Sequence, residues 1–292
     1  MTKLFITGGN SSDATYIVDS EIIDLSTNPP KTCKKPADFP APVGRLWEPL
    51  TTKEGNPLVC GGEINTPDEV ILNPTCFAYD FVREGWFYHS EFPEFRGAAA
   101  TVMNPNGTFW AIVNGHTYYQ DKDMIGFNRG IDSPVSFAFG CALYLNNSLS
   151  IINDARTFFF NHLTQQFTET SVGVDGDYRD AVCGIVNING KPKYAAFVQR
   201  ASSNVALLDI DTLEWSEGPG FPTSRSYGRT HQFMDSFILM GGFGLITREE
   251  PTDTIYYLNP TTMDWDLLPQ TMAVPRSRFY AAMIPDEFVD CT

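Results

Sequence analysis

Five arginines stand at comparable places along the chain, each followed by small or apolar residues typical of the start of a buried strand. They occur in Arg45-Leu-Trp, Arg96-Gly-Ala-Ala-Ala, Arg179-Asp-Ala-Val, Arg229-Thr-His and Arg278-Phe-Tyr-Ala-Ala. A guanidinium presents a planar fork of donors that holds a carboxylate through two parallel hydrogen bonds. If the fold gathers these arginines, they form a binding site for acidic groups. The alternative is that each arginine makes a structural salt bridge with a neighbouring Asp or Glu.

Local signatures of catalysis are missing from the sequence. There is no G-x-S-x-G, no phosphate-binding glycine loop and no H-E-x-x-H motif. The four histidines are far apart in the chain and stand at His89, His116, His162 and His231. The cysteines lack the C-x-x-C spacing of zinc sites. We therefore expect no metal, no cofactor and no enzymatic activity.

The elements that must position the arginines repeat along the chain. Apolar runs end in a glycine doublet or a degenerate equivalent: Gly8-Gly9, Gly61-Gly62, Asn114-Gly115, Asn153-Asp154, Gln199-Arg200 and Gly241-Gly242. In four units an Asp or Asn precedes an aromatic residue by the same interval, in Asp80 to Trp86, Asn161 to Phe167, Asp209 to Trp215 and Asn259 to Trp265. Short aromatic-rich segments divided by glycine and proline predict antiparallel strands. Four such strands repeating about every fifty residues indicate a β-propeller.

In these motifs the chain resembles the kelch-repeat family, including its extracellular invertebrate members. The family repeat has a small-residue inner strand, a strand ending in Gly-Gly, a strand ending in Tyr-Asp and an outer tryptophan. The resemblance implies an all-β, six-bladed kelch β-propeller that forms a single domain over residues 1–292. The expected blades are Lys3–Pro42, Gly44–Pro93, Arg96–Ser136, Phe137–Val172, Arg179–Pro222 and Arg225–Gln270. Trp86, Trp215 and Trp265 are expected to pack between blades.

The two ends of the chain are expected to complete one blade. Residues 3–9, KLFITGG, already form the second strand of a repeat, so the first blade lacks its innermost strand. The segment Arg278–Ile284 is an inner strand with no glycine-doublet strand after it. The family pairs two such segments, and closure removes exposed sheet edges. Within the ring, we expect Glu63–Asn73 to be an acidic, polar loop and Thr117–Asp132 to be an unusual connection in blade three.

The six cysteines form an even set that leaves several pairings open. Cys60 and Cys76 lie in neighbouring antiparallel strands, and a pair in these two strands recurs in extracellular kelch-like chains, so the resemblance favours a disulfide. Cys141 and Cys183 occupy the same place in two inner strands and are expected to be buried free thiols. For Cys33 and Cys291, a bond that ties down the C-terminal tail remains an alternative.

Composition and charge restrict the partners. The net charge of −15 and the pI near 4.6 argue against nucleic acid and anionic membrane surfaces. No apolar stretch is long enough for membrane insertion. A Cys60–Cys76 disulfide predicts an extracellular protein; the absence of a leader before the first strand favours the cytoplasmic alternative. Three N-glycosylation sequons, at Asn10, Asn106 and Asn146, are compatible with a glycoprotein but are frequent by chance in an asparagine-rich chain.

The function expected from this combination is a non-enzymatic binding module, a monomer that presents loops at one face to a protein partner. By the resemblance, Arg45, Arg96, Arg179, Arg229 and Arg278 line one mouth of the ring. The alternative is a sugar-type enzyme, such as a sialic-acid mutarotase, or a glycan-binding lectin that acts in the axial funnel. A copper-radical oxidase would need a seventh blade and a further domain. The iron site of nitrile-specifier proteins would need a histidine where Tyr257 follows Glu249 and Asp253.

Overall fold

The computed structural model describes the chain except for residues 12–14, 45–49, 66–68, 94–99, 105–106, 114, 122–125, 134–140, 146–147, 154–155, 162–163, 165, 172–180, 200–201 and 245–249. The described residues form 25 strands and one short 3₁₀ turn, Asp286–Phe288. Six antiparallel sheets are arranged as the blades of a β-propeller, which confirms the predicted all-β, six-bladed fold.

Blade one uses strands from both ends of the chain, and blades two and three follow it in sequence. Blade one consists of β1 (Lys3–Thr7), β2 (Ser20–Asp24) and the last strand, β25 (Tyr280–Ile284). Blade two consists of β3 (Leu50–Thr51), β4 (Pro57–Cys60), β7 (Thr75–Asp80) and β8 (Gly85–Glu91), and the hairpin of β5 (Glu63–Asn65) and β6 (Val70–Leu72) is inserted between β4 and β7. Blade three consists of β9 (Ala100–Met103), β10 (Phe109–Val113), β11 (His116–Gln120) and β12 (Asn128–Asp132).

The remaining blades each take four consecutive strands. Blade four consists of β13 (Cys141–Leu145), β14 (Ser148–Asn153), β15 (Arg156–Asn161) and β16 (Gln166–Ser171). Blade five consists of β17 (Val182–Ile188), β18 (Lys191–Val198), β19 (Val205–Asp209) and β20 (Trp215–Glu217). Blade six consists of β21 (Arg229–Phe233), β22 (Ser236–Met240), β23 (Thr254–Leu258) and β24 (Trp265–Thr271).

The core lies between the blades. Six hydrophobic clusters each join two neighbouring blades, and one of them joins blade six to blade one. The second strands β1, β10 and β22 are buried along their whole length. A strand that is covered on both faces reads as a continuous apolar run. This explains the uninterrupted apolar segments that precede the glycine doublets.

The ring closes as predicted through the two ends of the chain. β1 pairs on one side with β2 and on the other with β25, antiparallel, with Lys3 opposite Ile284 and Thr7 opposite Tyr280. The Tyr280 hydroxyl then donates to the Leu50 carbonyl of blade two and accepts a hydrogen bond from the Leu58 amide. The closing strand therefore fills an otherwise unpaired edge and also contacts the next blade.

The glycine doublets have a steric cause. Gly241 and Gly242 have φ of 61° and 85°, in the left-handed region that favours glycine. A Cβ on Gly241 would lie 2.6 Å from the Arg276 carbonyl oxygen, and one on Gly242 would lie 2.7 Å from that of Ser226. The doublet thus serves close packing of backbone against backbone, as expected from its place at a strand end.

Two of the outer tryptophans make the same contact at two places in the ring. The Trp86 indole donates to the Ala37 carbonyl oxygen over 3.0 Å and stands edge-on to Phe39, with ring centroids 4.8 Å apart. The Trp265 indole donates to the Pro219 carbonyl oxygen over 3.1 Å and stands edge-on to Phe221, also at 4.8 Å. In each case the partner segment belongs to the preceding blade, so these tryptophans pack between blades as predicted.

Two expectations about connections are wrong. The segment Thr117–Asp132 contains most of β11 and all of β12, so it builds the outer half of blade three. Its tyrosines and polar residues interrupt the apolar pattern from which a strand is predicted, although Thr117 and Tyr118 are buried. The segment Glu63–Asn73 contains the β5–β6 hairpin. A two-stranded unit inside a connection leaves too short a pattern to be recognised in the sequence.

Candidate functional site

One end of the propeller is built from two kinds of loop that pair with each other. The residue after a glycine doublet forms a two-way backbone bridge with the loop before an inner strand, in Asn10 with Ser277, Glu63 with Gly44 and Phe243 with Ser226. The hydrogen bonds of these bridges are 2.8–3.0 Å long. We call the end of the ring marked by these six residues the loop face. The loops that carry the predicted arginines and the connections after the doublets thus meet there.

The predicted binding arginines do not all occupy one structural position. Arg278 directly follows Ser277, and the corresponding place in blade six is taken by Tyr227. Arg229 stands two residues further along, opposite Met240, where blade one has Tyr280 opposite Thr7. Arg45, Arg96 and Arg179 lie outside the described residues.

The two described arginines have different surroundings. Arg229 Nε donates to the Phe279 carbonyl oxygen over 2.6 Å, which links blade six to blade one. Arg278 has φ of 54°, and its guanidinium lies 3.9 Å from the ring centroid of Tyr227, which in turn stacks on Phe243 at 5.3 Å. Arg278 Nε is buried and has no hydrogen-bond partner among the described residues. Arg229 thus makes a structural contact, whereas Arg278 is held in place mainly by an aromatic ring.

Two arginines outside the predicted set hold the loop face together. Arg276 Nη1 donates to the Gly8 carbonyl oxygen over 3.0 Å, and Arg225 Nη1 donates to that of Gly241 over 3.1 Å. Both acceptors are the first glycine of a doublet. The signal that identifies these arginines is the dipeptide Arg-Ser before an inner strand, in Arg225-Ser and Arg276-Ser.

The β5–β6 hairpin of blade two displays apolar side chains on the loop face side of the ring. Glu63, the first residue of β5, pairs with Gly44, and on its other side β5 pairs with β6. The three residues of β6, Val70, Ile71 and Leu72, are all exposed. Within the described part of the chain, β6 has no second strand partner. As far as the described residues go, the hairpin therefore combines an apolar surface with an unpaired strand edge.

A cavity of about 460 Å³ lies along the inner strands of blades three to six. Its wall is formed by Thr101–Asn104, Cys141–Tyr144, Val182–Ile185 and Thr230–Gln232. His231 is nine-tenths buried, and burial lowers its pKa to about 4, against a hydrogen bond to the Ala281 backbone that raises it. His231 is therefore neutral at physiological pH, and its Nε2 has no hydrogen-bond partner among the described residues.

All six cysteines are paired in the structure. Cys60 and Cys76 form the expected disulfide between paired strands, with Cα atoms 4.1 Å apart. Cys33 and Cys291 form a second disulfide that ties the C-terminal tail to blade one. Cys141 and Cys183 are within disulfide distance across blades four and five, so the expectation of two free thiols is wrong. The two cysteines occupy equivalent positions in neighbouring inner strands, and this brings their side chains together near the axis of the ring.

Other predicted features are only partly described. The Asn10 side-chain oxygen is buried without a hydrogen-bond partner among the described residues, whereas the sequons at Asn106 and Asn146 lie outside them. In the described residues, no group of three or more His, Cys, Asp or Glu side chains is arranged to hold a metal ion. No helix in the described part of the chain is long and apolar enough to cross a membrane.

Comparison with known proteins supports the fold. No protein-family model and no curated protein sequence matches the chain, so membership of the kelch family is not shown. Among solved structures, the chain is similar to "Structure of YjhT", with a TM-score of 0.71 and 14% sequence identity. The match covers 90% of this chain and 96% of that structure. YjhT is a β-propeller. At 14% identity, this similarity supports the fold of the present chain and gives no information about its activity.

Proposed function

We propose that this protein is a non-enzymatic binding module that uses the loop face and the adjoining β5–β6 hairpin to hold a protein partner. The observation that carries the proposal is the run of three exposed apolar residues on β6: Val70, Ile71 and Leu72 are 55%, 42% and 36% exposed. Exposed apolar patches on soluble proteins are typical of interaction sites.

The free edge of β6 favours a partner that binds as an extended strand. A strand at the edge of a sheet presents unpaired N–H and C=O groups, and a partner segment can add to them while its side chains cover the apolar ones. The chain carries a net charge of −15, and the sequence of the hairpin includes Glu63 and Glu69. We therefore propose an extended partner segment that is apolar and basic.

The arginine positions supply a second region for the same partner. Arg278 stacks on Tyr227, which orients its guanidinium with little loss of rotamer freedom on binding. Gly44 precedes Arg45 directly and also pairs with the first residue of the hairpin. We propose that Arg278, together with Arg45, Arg96, Arg179 and Arg229, contributes to contacts with carboxylates of the partner.

Affinity capture with matched surface variants tests the proposal. We expect the wild-type ring to retain a partner from its native medium that Ile71→Lys loses, because a charge on β6 cannot be covered by an apolar strand. The matched control is Leu267→Lys on β24, where Leu267 is 58% exposed in another blade. Equal capture by both variants and the wild type would exclude the hairpin, and thermal melting of each variant controls for folding.

We place the protein outside the cytosol. Three cysteine pairs at disulfide distance suit an oxidising compartment, because cytosolic thiols are normally kept reduced. Alkylation of the natural protein without reductant, followed by intact mass measurement, tests this: an oxidised protein gains no mass. Six alkylated cysteines would instead favour the cytoplasmic alternative.

The second candidate is a sugar-type enzyme or glycan-binding lectin acting in the axial funnel. The cavity between the inner strands of blades three to six is the observation in its favour. Glycoside chemistry commonly requires a pair of carboxyl groups, and the described wall of the cavity includes neither Asp nor Glu. We therefore rank this function behind protein binding.

A further inference from the structure

We propose that the axial cavity is a binding site for a small uncharged molecule with an apolar body and a few hydroxyl, carbonyl or amide groups. This site is separate from the hairpin surface and does not depend on the proposed function. The cavity volume of about 460 Å³ falls in the range of small-molecule pockets, roughly 300–1,000 Å³.

The cavity is lined by the edges of four sheets, and the backbone N–H and C=O groups at these edges are polar but uncharged. Its wall comes from β9, β13, β17 and β21, and each of these is the terminal strand of its sheet. A terminal strand is paired on one side only, so its other edge offers backbone donors and acceptors. The Thr230 hydroxyl already donates to the Cys183 carbonyl oxygen of the neighbouring wall strand, and buried backbone groups that lack such a partner bind water or a ligand.

Two side-chain atoms of the wall residues also lack partners among the described residues. They are Thr101 Oγ1 and His231 Nε2, and both residues are more than nine-tenths buried. Buried polar atoms without partners are unusual and point to bound water or a ligand. Because the pKa of His231 is lowered to about 4, its imidazole is neutral and attracts no anion.

The side chains of the wall determine the class of ligand. Among the described wall residues there is no Asp, Glu, Lys or Arg, so these residues offer a charged ligand no partner charge in exchange for its lost hydration. Leu143, Val182 and Ile185 are half-buried and belong to the wall. Apolar side chains and polar backbone edges together suit an uncharged amphipathic molecule better than an ionic one.

Methyl NMR on the wild-type protein tests the proposal with defined probes. With isoleucine, leucine and valine methyls labelled, 2-naphthol should give saturable shifts at Leu143, Val182 and Ile185. Naphthalene-2-sulfonate, which has the same rings and a charge, should bind at least tenfold more weakly. Methyl glucoside, a neutral sugar without an apolar body, should give no shift. Methyls of Val70, Ile71 and Leu72 report separately on adsorption to the hairpin.

A pair of variants on one strand tests the location. Ile185→Trp fills the cavity and should weaken 2-naphthol binding at least tenfold. Ile188→Trp is the matched control, because Ile188 is also a half-buried residue of β17 but does not line the cavity. It should bind 2-naphthol as the wild type does.

The proposal is overturned if 2-naphthol leaves the three cavity methyls unshifted or shifts only those of the hairpin. Binding of naphthalene-2-sulfonate as tight as that of 2-naphthol, or shifts by methyl glucoside alone, also contradicts it. If Ile185→Trp folds and binds 2-naphthol as the wild type does, the cavity is not the site. If Ile185→Trp does not fold, the location of the site is decided by which methyl groups of the wild-type protein shift with 2-naphthol.

Discussion

The guanidinium of Arg276 donates a hydrogen bond of 3.1 Å to the carboxylate of Glu21, and the Arg276 side chain is wholly buried. The two residues lie 255 positions apart, one before the closing strand and one in blade one. Burial lowers the pKa of Arg276 and raises that of Glu21, so each charge depends on the other for compensation. The pair joins the two ends of the chain beneath the loop face.

We predict that Arg276→Met lowers the free energy of unfolding by about 3–5 kcal/mol, because it leaves the charge of Glu21 buried without its partner. Adding Glu21→Gln to this variant should recover part of the loss. Urea denaturation gives both values. Lys193→Met, which removes a solvent-accessible ion pair of the partly exposed Lys193 with Asp209 and Asp211, should change the denaturation midpoint far less than Arg276→Met does. An Arg276→Met variant as stable as the Lys193→Met control would contradict the prediction.

Trp265 is half-buried, so Trp265→Ala should cost about 3 kcal/mol, the low end for buried aromatic residues, through lost burial and the cavity left between blades five and six. The indole also donates to the Pro219 carbonyl, which would lose its partner. Leu267→Ala on the same strand is the control, and its exposed side chain should change stability by less than about 0.5 kcal/mol. Thermal and urea unfolding measure both. A loss below about 1 kcal/mol at Trp265 would show that the ring is free for a ligand.

The disulfides should stabilise the fold according to the length of chain they close. Replacing Cys33 and Cys291 by Ser opens a separation of 258 residues and should cost about 5 kcal/mol, whereas the 16-residue separation of Cys60 and Cys76 corresponds to about 3 kcal/mol. Urea denaturation of the two double variants compares them. Equal losses would contradict the dependence of disulfide stabilisation on the length of the closed loop.

Acidification should destabilise the protein through His231. Its pKa is about 6.5 when unfolded and about 4 when folded, so below pH 6.5 the unfolded state binds a proton that the folded state excludes. Stability is therefore lost as the pH falls from 6.5 towards 4, by about 3 kcal/mol in total. His231→Gln should remove that part of the decrease. Parallel stability curves for the wild type and the variant between pH 7 and pH 4 would refute this assignment.

Local spacing was enough to predict the blades. A glycine doublet is required where φ is positive and another backbone approaches, as at Gly241 and Gly242, and this requirement recurs in each repeat that keeps the doublet. The outer tryptophans could be recognised for the same reason, because Trp86 and Trp265 fill equivalent gaps beside Phe39 and Phe221. The pairing of the chain ends could be predicted by counting strands. The first blade lacked its inner strand, and the last strand of the chain was an inner strand that belonged to no other blade.

The candidate sites could not be predicted in this way, because they depend on distances between blades. The sequence was enough to predict the propeller and its closure, which follow from contacts within a repeat or between the chain ends, and the resemblance to kelch repeats favoured the Cys60–Cys76 pair. Only the tertiary structure decided that Cys141 meets Cys183, that Arg276 and not Arg229 pairs with a carboxylate across the closure, and that Val70–Leu72 faces solvent. An apolar run is the same in sequence whether it is buried or exposed, and the packing of neighbouring blades sets the difference.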